Sequence, residues 1–153
     1  KGLDDKVVST PGFCNDRNTR SGDSWVASGS NVYYAAYERL DTNKTPTLQC
    51  SNTNDIYTTK VGLITADEVM FAGGRNSNNS SYYLYTGQNY LTMSPYRFYA
   101  LASWAYVFCL DSYGYLGGGL VTQEYGVRPV VNLSADVTIS GGNGTSETPY
   151  VVS

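Results

Sequence analysis

Leu63-Ile64-Thr65-Ala66-Asp67-Glu68-Val69-Met70-Phe71-Ala72-Gly73-Gly74 is the stretch from which the fold can be read. Thr65 and Glu68 have capping-box spacing: the Thr hydroxyl accepts from the N–H three residues on, and the Glu carboxylate reaches back to the Thr N–H. Val69, Met70, Phe71 and Ala72 continue a short helix, and Gly73-Gly74 stop it. Ahead of the cap, Lys60-Val61-Gly62-Leu63-Ile64 reads as a strand. Residues 60–74 are therefore strand, helix and stop.

Working outward, the downstream chain changes character. The 48 positions from 76 to 123 carry two charges, Arg97 and Asp111, and nine of the 15 Tyr. Small and aromatic residues alternate there, which predicts short strands at 82–85, 90–93, 104–110 and 113–117, with turns at Thr86-Gly87 and Asp111-Ser112-Tyr113-Gly114. Gly126-Val127-Arg128-Pro129-Val130-Val131-Asn132-Leu133 reads as a final core strand. A glycine-rich turn at 140–145 precedes a closing strand at 149–152. Upstream, residues 1–29 are polar and irregular, with short strands expected at Val7-Val8 and Trp25-Val26. Tyr33, Tyr37 and Leu40 fall at helical spacing behind Ser30-Asn31, which predicts a short amphipathic helix over 32–40. Residues 41–59 read as loop. The class is α+β: two short helices early, then a small, mostly antiparallel twisted sheet with long loops.

Composition narrows the function. With 153 residues the chain is expected to be one domain, 1–153, large enough for a real core. Charged residues make up 15% and the net charge is −3. That argues against a nucleic-acid partner held by phosphate contacts. There is no His, which removes Ser-His-Asp and Cys-His catalysis and His-based zinc sites. No cofactor or metal is expected. Cys14 and Cys50 sit in polar, turn-rich surroundings and read as a disulfide of an exported protein, the other reading being two free thiols. Cys109 lies in an apolar run and reads as an unpaired, partly buried small residue. The chain opens at Lys1 without an initiator Met, signal peptide or anchor, so it reads as a trimmed ectodomain whose membrane contact, if any, runs through an upstream segment.

Three motifs then fall in order. The 63–74 segment is similar to the strand–helix segment of formylglycine-generating-enzyme-like domains, Leu91-Thr92-Met93-Ser94-Pro95 to their W-T-x-S turn, and Gly126-Val127-Arg128-Pro129-Val130 to their closing G-F-R-x-V. The resemblance covers roughly residues 60–133 and implies a C-type-lectin-like fold of that subtype. Tyr85-Thr86-Gly87-Gln88-Asn89-Tyr90, Ser94-Pro95, residues 126–133 and Gly141-Gly142-Asn143-Gly144-Thr145 with Pro149-Tyr150 resemble the C-terminal ectodomains of pilin-like surface proteins of Gram-positive gut bacteria. Some domains of this type are variable proteins of diversity-generating retroelements, in which template adenines are randomised. The resemblance implies a variable window of about 96–123. Within it Tyr99, Leu101, Ser103, Tyr106, Cys109, Asp111, Tyr113, Tyr115, Gly117, Gly118, Gly119 and Thr122 are all reachable from an Asn codon, whereas Trp104 and Gln123 are not.

The same window is the candidate site on physical grounds. Tyr offers large contact area, two torsions and a hydroxyl, and so binds varied partners at modest entropic cost. Tyr99, Tyr106, Tyr113 and Tyr115 with Trp104 supply anchors, Arg97 and Asp111 supply orientation, and Leu101, Ser103 and Thr122 complete the set. Gly117-Gly118-Gly119 is expected to form a flat or mobile gap. The blander reading makes half of these Tyr core, since 104–110 alternates as a half-buried strand does.

Other constellations are structural. Arg128 reads as a buried Arg paired with Glu68 or Asp67. Asp41, Asn43, Asn52, Asn54 and Asp55 have no calcium-loop spacing and read as solvated loop. The calcium-lectin sugar motifs and the paired catalytic cysteines of formylglycine-generating enzymes are absent, so an enzyme is not expected. The expected function is a ligand-binding or adhesion module on an extracellular bacterial surface, its partner a protein or glycan on another cell, phage or host. The alternative is a structural pilin-like subunit that uses the same face for pilus-like assembly.

Overall fold

The computed structural model of the chain describes residues 5–25, 30–145 and 147–153. They form a mixed α/β structure with a curled antiparallel sheet and a few short helices. In chain order the elements are β1 (Gly12–Cys14), β2 (Asn31–Tyr33), α1 (Ala35–Tyr37), β3 (Ile56–Thr58), β4 (Gly62–Leu63), α2 (Ala66–Phe71), β5 (Tyr90–Tyr99), β6 (Trp104–Leu110), β7 (Leu116–Leu120), β8 (Pro129–Val130), β9 (Ile139–Gly141) and β10 (Val151–Val152). A π-helical turn, Glu38–Thr42, continues α1. The main sheet has the order β2-β5-β6-β7, every pairing antiparallel. β1 pairs with β3, β4 with β8, and β9 with β10.

The 63–74 segment folds as its residues dictate. The Thr65 N–H donates to Glu68 Oε2 (2.7 Å), and the Glu68 N–H donates to Thr65 Oγ1 (3.2 Å), so the capping box is closed. At the other end of α2 the Gly73 N–H reaches Met70 O and the Gly74 N–H reaches Val69 O, with Gly73 at φ +112°. That is a Schellman stop, and the positive φ is why glycine stands there. Ser94 ties β5 to this helix: its hydroxyl accepts the Ala66 N–H at 2.9 Å.

The core lies between α1, α2 and one half of the main sheet. Ala36 and Leu40, Ala66 and Val69, and Tyr90, Phe108, Leu110 and Leu116 are all almost fully buried in it. Phe108, Leu110 and Leu116 share one sheet face because β6 has a side-chain period of two and Leu110 pairs with Leu116.

Several boundaries differ from the sequence reading. The expected helix over 32–40 begins as strand: Asn31–Tyr33 pair with β5, helix starts only at Ala35, and Tyr33 still meets Tyr37 at a ring separation of 4.2 Å. The helical spacing was real, but sheet hydrogen bonds took its first turn. The strand over 90–93 runs on to Tyr99, whereas 82–85 is turn. The strand predicted at 113–117 begins at Leu116, because residues 111–115 are held as a turn by Asp111 Oδ1, which accepts the N–H groups of Tyr113 and Tyr115. The 126–133 segment is no continuous core strand: Pro129–Val130 form its one short strand, Gly126 and Leu133 make isolated bridges, and Val127 and Val131 face solvent. Trp25 lies in a turn against Tyr34 and Phe98, and its expected strand partner Val26 lies outside the described residues. Val7 makes one bridge, to Leu133.

Cys14 and Cys50 form a disulfide across a sequence separation of 36. Cys109 is free and buried in β6.

Candidate functional site

The register of β2, β5 and β6 builds the site. Arg97 pairs with Tyr33 on one side and Tyr106 on the other; two residues along, Tyr99 pairs with Asn31 and Trp104. A period of two puts both cross-strand rows on one face. It is the face that buries Phe108 and Leu110, continued beyond the reach of the helices. Tyr96 marks the border: its ring packs edge-on against Phe108 at 4.9 Å and against Tyr37 at 5.1 Å.

Pro95 explains why Tyr96 and Arg97 both point this way. Proline cannot donate to the ladder, and the register slips there: Pro95 faces Val107, and Arg97 faces Tyr106. The extra residue is a β-bulge, which delivers two successive side chains to one face. Gly118 on β7 makes room for the first of them, since a Cβ there would stand 2.6 Å from Tyr96 Cδ1.

Beyond Tyr96 the face is open and aromatic. Trp104 is 49% exposed, Leu101 is 70% exposed, and Tyr99 and Tyr106 are half-buried. Tyr99 and Trp104 meet at 6.1 Å with their planes at 59°. Ser103 sits at φ 55° in the turn from β5 to β6, which lets the chain reverse and present Trp104 first on its strand. Thr122 lies at the same end, where the Val121 N–H donates to Ala105 O.

Three arginines stack on tyrosines, and their neutralisation differs. Arg20 lies 4.8 Å from the Tyr33 ring centroid and is paired with Asp23 at 2.8 Å. Arg128 lies 4.3 Å from that of Tyr90 and donates to Leu84 O and Thr86 Oγ1. This corrects the expected pairing of Arg128 with Glu68 or Asp67, whose acceptors are taken within the helix cap and by Arg39. Arg97 lies 4.4 Å from that of Tyr106, and no acid is paired with it among the described residues. Desolvation works against its charge, but the neighbouring phenols of Tyr33 and Tyr106 outweigh that and hold its pKa above the ordinary guanidinium value. Its Nε and the Oδ1 of Asn31 are buried without hydrogen-bond partners.

The fold splits the predicted site. It brings Arg97, Tyr99, Leu101, Ser103, Trp104, Tyr106 and Thr122 to one end of the sheet. Asp111, Tyr113 and Tyr115 stand at the other end of the β6–β7 hairpin, about 20 Å away at the ordinary rise of a strand. Asp111 is no orienting charge for Arg97: it stands at the far turn, where its Oδ1 accepts the Tyr113 and Tyr115 N–H groups. Tyr113 is 68% exposed, but on that far turn. The glycine run is strand β7: Gly117 and Gly119 are buried, under Tyr115 and beside Tyr125, and Gly118 is exposed. Cys109 is buried as well, and burial pushes its thiol pKa up to about 11.

Sequence reasoning missed Asn31, Tyr33 and Tyr96. The spacing of Tyr33 and Tyr37 points to a helix, and only the β2–β5 pairing places Tyr33 beside Arg97. The Tyr96-Arg97 pair after Pro95 carried a signal, since proline inside a strand marks a bulge.

A second, polar centre lies in a cleft of about 230 Å³ between β1, α2 and the 47–49 loop. Arg39 donates to both oxygens of Asp67 (2.8 Å each) and to Asp16 (3.4 Å). Asp67 also accepts the Thr47 N–H, and Asp16 accepts Ser51 Oγ and the Asn18 N–H. These carboxylates are saturated by structural donors. Among the described residues no three His, Cys, Asp or Glu side chains converge as metal ligands.

No family model, curated protein or solved structure matches the chain.

Proposed function

We infer that this chain is a non-enzymatic ligand-binding or adhesion domain whose site is the aromatic half of the main sheet face. One observation carries this reading: two cross-strand rows, Tyr33–Arg97–Tyr106 and Asn31–Tyr99–Trp104, continue a core-bearing face past the contact of Tyr33 with α1 to the exposed Trp104. Tyr, Trp and Arg are the side chains that anchor interfaces, and here they stand on paired strands that fix their positions before any ligand arrives. The acids of the Arg39 cleft are engaged in holding loops, which supports binding over catalysis.

The same reading gives the chain a C-type-lectin-like fold of the formylglycine-generating-enzyme subtype, on an extracellular bacterial surface protein of pilin-like type. The Cys14–Cys50 disulfide supports an oxidising compartment. The segment from Arg97 to Tyr106 and Thr122 is the part of the 96–123 window that a retroelement would diversify to change the ligand. Asn31 and Tyr33 lie outside that window and form its constant wall. A near-copy of codons 95–128 differing at adenines, beside a reverse transcriptase gene, is the expected genomic signature; its absence removes the diversification part.

The binding claim is tested by screening the purified domain on glycan and protein arrays beside the Trp104→Ala/Tyr106→Ala variant. The variant should lose every ligand the parent captures while keeping its melting temperature within a few degrees. Undiminished binding contradicts the reading.

A further inference from the structure

Among the described residues Arg97 and Arg128 are the stacked arginines that meet no acid. Arg20 has Asp23, Arg39 has Asp67 and Asp16, and Arg128 caps a carbonyl and a hydroxyl. Arg97 takes part in no ion pair among the described residues, and its polar neighbours are the phenols of Tyr33 and Tyr106. Its Nε is buried and orphaned, yet the Nη ends of the fork are not among the buried polar atoms lacking partners. The guanidinium is held by its ring neighbours, and its Nη groups are the part of the fork that is not both buried and unpartnered. Partly desolvated charges are ordinarily paired, and a planar two-nitrogen edge matches a carboxylate.

The surroundings narrow what carries that carboxylate. Tyr99 and Trp104 offer tilted ring faces, Ser103 and Thr122 add hydroxyl groups, and the nearby cation Arg20, stacked on Tyr33, is already paired with Asp23. Aromatic faces are electronegative and attract the weakly positive C–H face of a saturated ring. The cluster is less than half of the roughly 20–30 residues that a standard protein interface uses per side. A compact ligand with a C–H face, hydroxyls and one acid edge fits these constraints better than a broad protein surface does.

We propose that the aromatic face binds an acidic sugar, its carboxylate on the outer edge of Arg97 and its pyranose ring against Trp104 and Tyr99. The proposal rests on the binding reading above and adds the ligand class. In the complex the carboxylate accepts two N–H bonds from the guanidinium, and no covalent bond changes.

The test is titration calorimetry of the purified chain with four probes: 3′-sialyllactose, trigalacturonic acid, the methyl ester of the latter, and hexaglutamate as the acidic-peptide arm. Binding of at least one carboxylated sugar is expected, with roughly tenfold or greater weakening for its neutral counterpart and for Arg97→Gln. Arg97→Lys, which keeps the charge and loses the fork, should fall between. Raising salt from ~0.05 to ~0.5 M should weaken binding of the acid form alone. Unchanged melting temperatures keep the variants interpretable, and a loss of folding in Arg97→Gln leaves the ester comparison as the deciding result. No binding of either carboxylated sugar at ~1 mM overturns the proposal. So does equal binding of acid and ester, or hexaglutamate binding through Arg97 in place of the sugars. If an uncharged ligand binds and the Trp104→Ala/Tyr106→Ala variant loses it, the ligand class falls and the aromatic site stands. If that variant changes nothing while a probe binds, both fall.

Discussion

Arg97 and Tyr106 are direct cross-strand partners, and the guanidinium carbon of the first lies 4.4 Å from the ring centroid of the second. Their pairing depends on the bulge after Pro95. Without the extra residue Arg97 would fall on the opposite face, because a one-residue slip reverses every side chain. The charge at the centre of the aromatic face is thus set by a backbone irregularity between Pro95 and Arg97, at the border of the exposed half of β5.

That dependence yields a first prediction. Pro95→Ala restores an N–H and removes the reason for the slip while changing no side chain of the site. The variant should fold, and the Arg97–Tyr106 contact should weaken, read as loss of the ring-current shift on the Arg97 Hδ protons. An unchanged shift would show that packing of Tyr96 on Phe108 fixes the bulge without proline.

Arg39 should prove structural. Its side chain is largely buried between Asp67 and Asp16, and removing one partner of such a pair strands the others. Arg39→Ala should cost about 3–5 kcal/mol in denaturant unfolding. Ligand capture by the aromatic face should persist below the unfolding transition. A loss under 1 kcal/mol would mean water replaces the guanidinium cheaply.

The disulfide closes a long loop. On the chain-entropy account, with a separation of 36 residues, its removal costs about 3–4 kcal/mol. Cys14→Ser/Cys50→Ser should therefore melt well below the parent, and a reducing agent should produce the same shift in the parent and none in the variant.

Cys109 gives a pH signature. Burial raises its thiol pKa from 9.0 to about 11 in the folded chain. Between those values the unfolded chain releases a proton that the folded chain keeps, so stability is complete below pH 9 and declines as pH rises toward 11. Cys109→Ala should remove that part of the alkaline decline. At pH 8 the native thiol should resist iodoacetamide and react once the protein unfolds.

How much of this was legible from residues alone varies by element. Thr65-Ala66-Asp67-Glu68 and Gly73-Gly74 were fully readable because capping is a local hydrogen-bond problem solved within six residues. Strand 104–110 was readable from its alternation. Residues 32–34 were not, since their helical spacing was outweighed by pairing with a strand more than 60 positions away. The site was half legible. Arg97, Tyr99, Trp104 and Tyr106 share a window, but nothing local shows that Asp111 and Tyr113 turn away at the far end of the same hairpin. Nor does it show that Tyr33 joins from the other edge.

The most direct test of the aromatic face is a chemical-shift map of the isotopically labelled chain, titrated with the strongest ligand found on the arrays. The Trp104 indole N–H and the amides of Tyr33, Arg97, Tyr99 and Tyr106 should move together and saturate at one affinity, while Asp111, Tyr113 and Tyr115 stay still. Shifts concentrated at residues 111–115, with the Trp104 indole unmoved, would contradict the account.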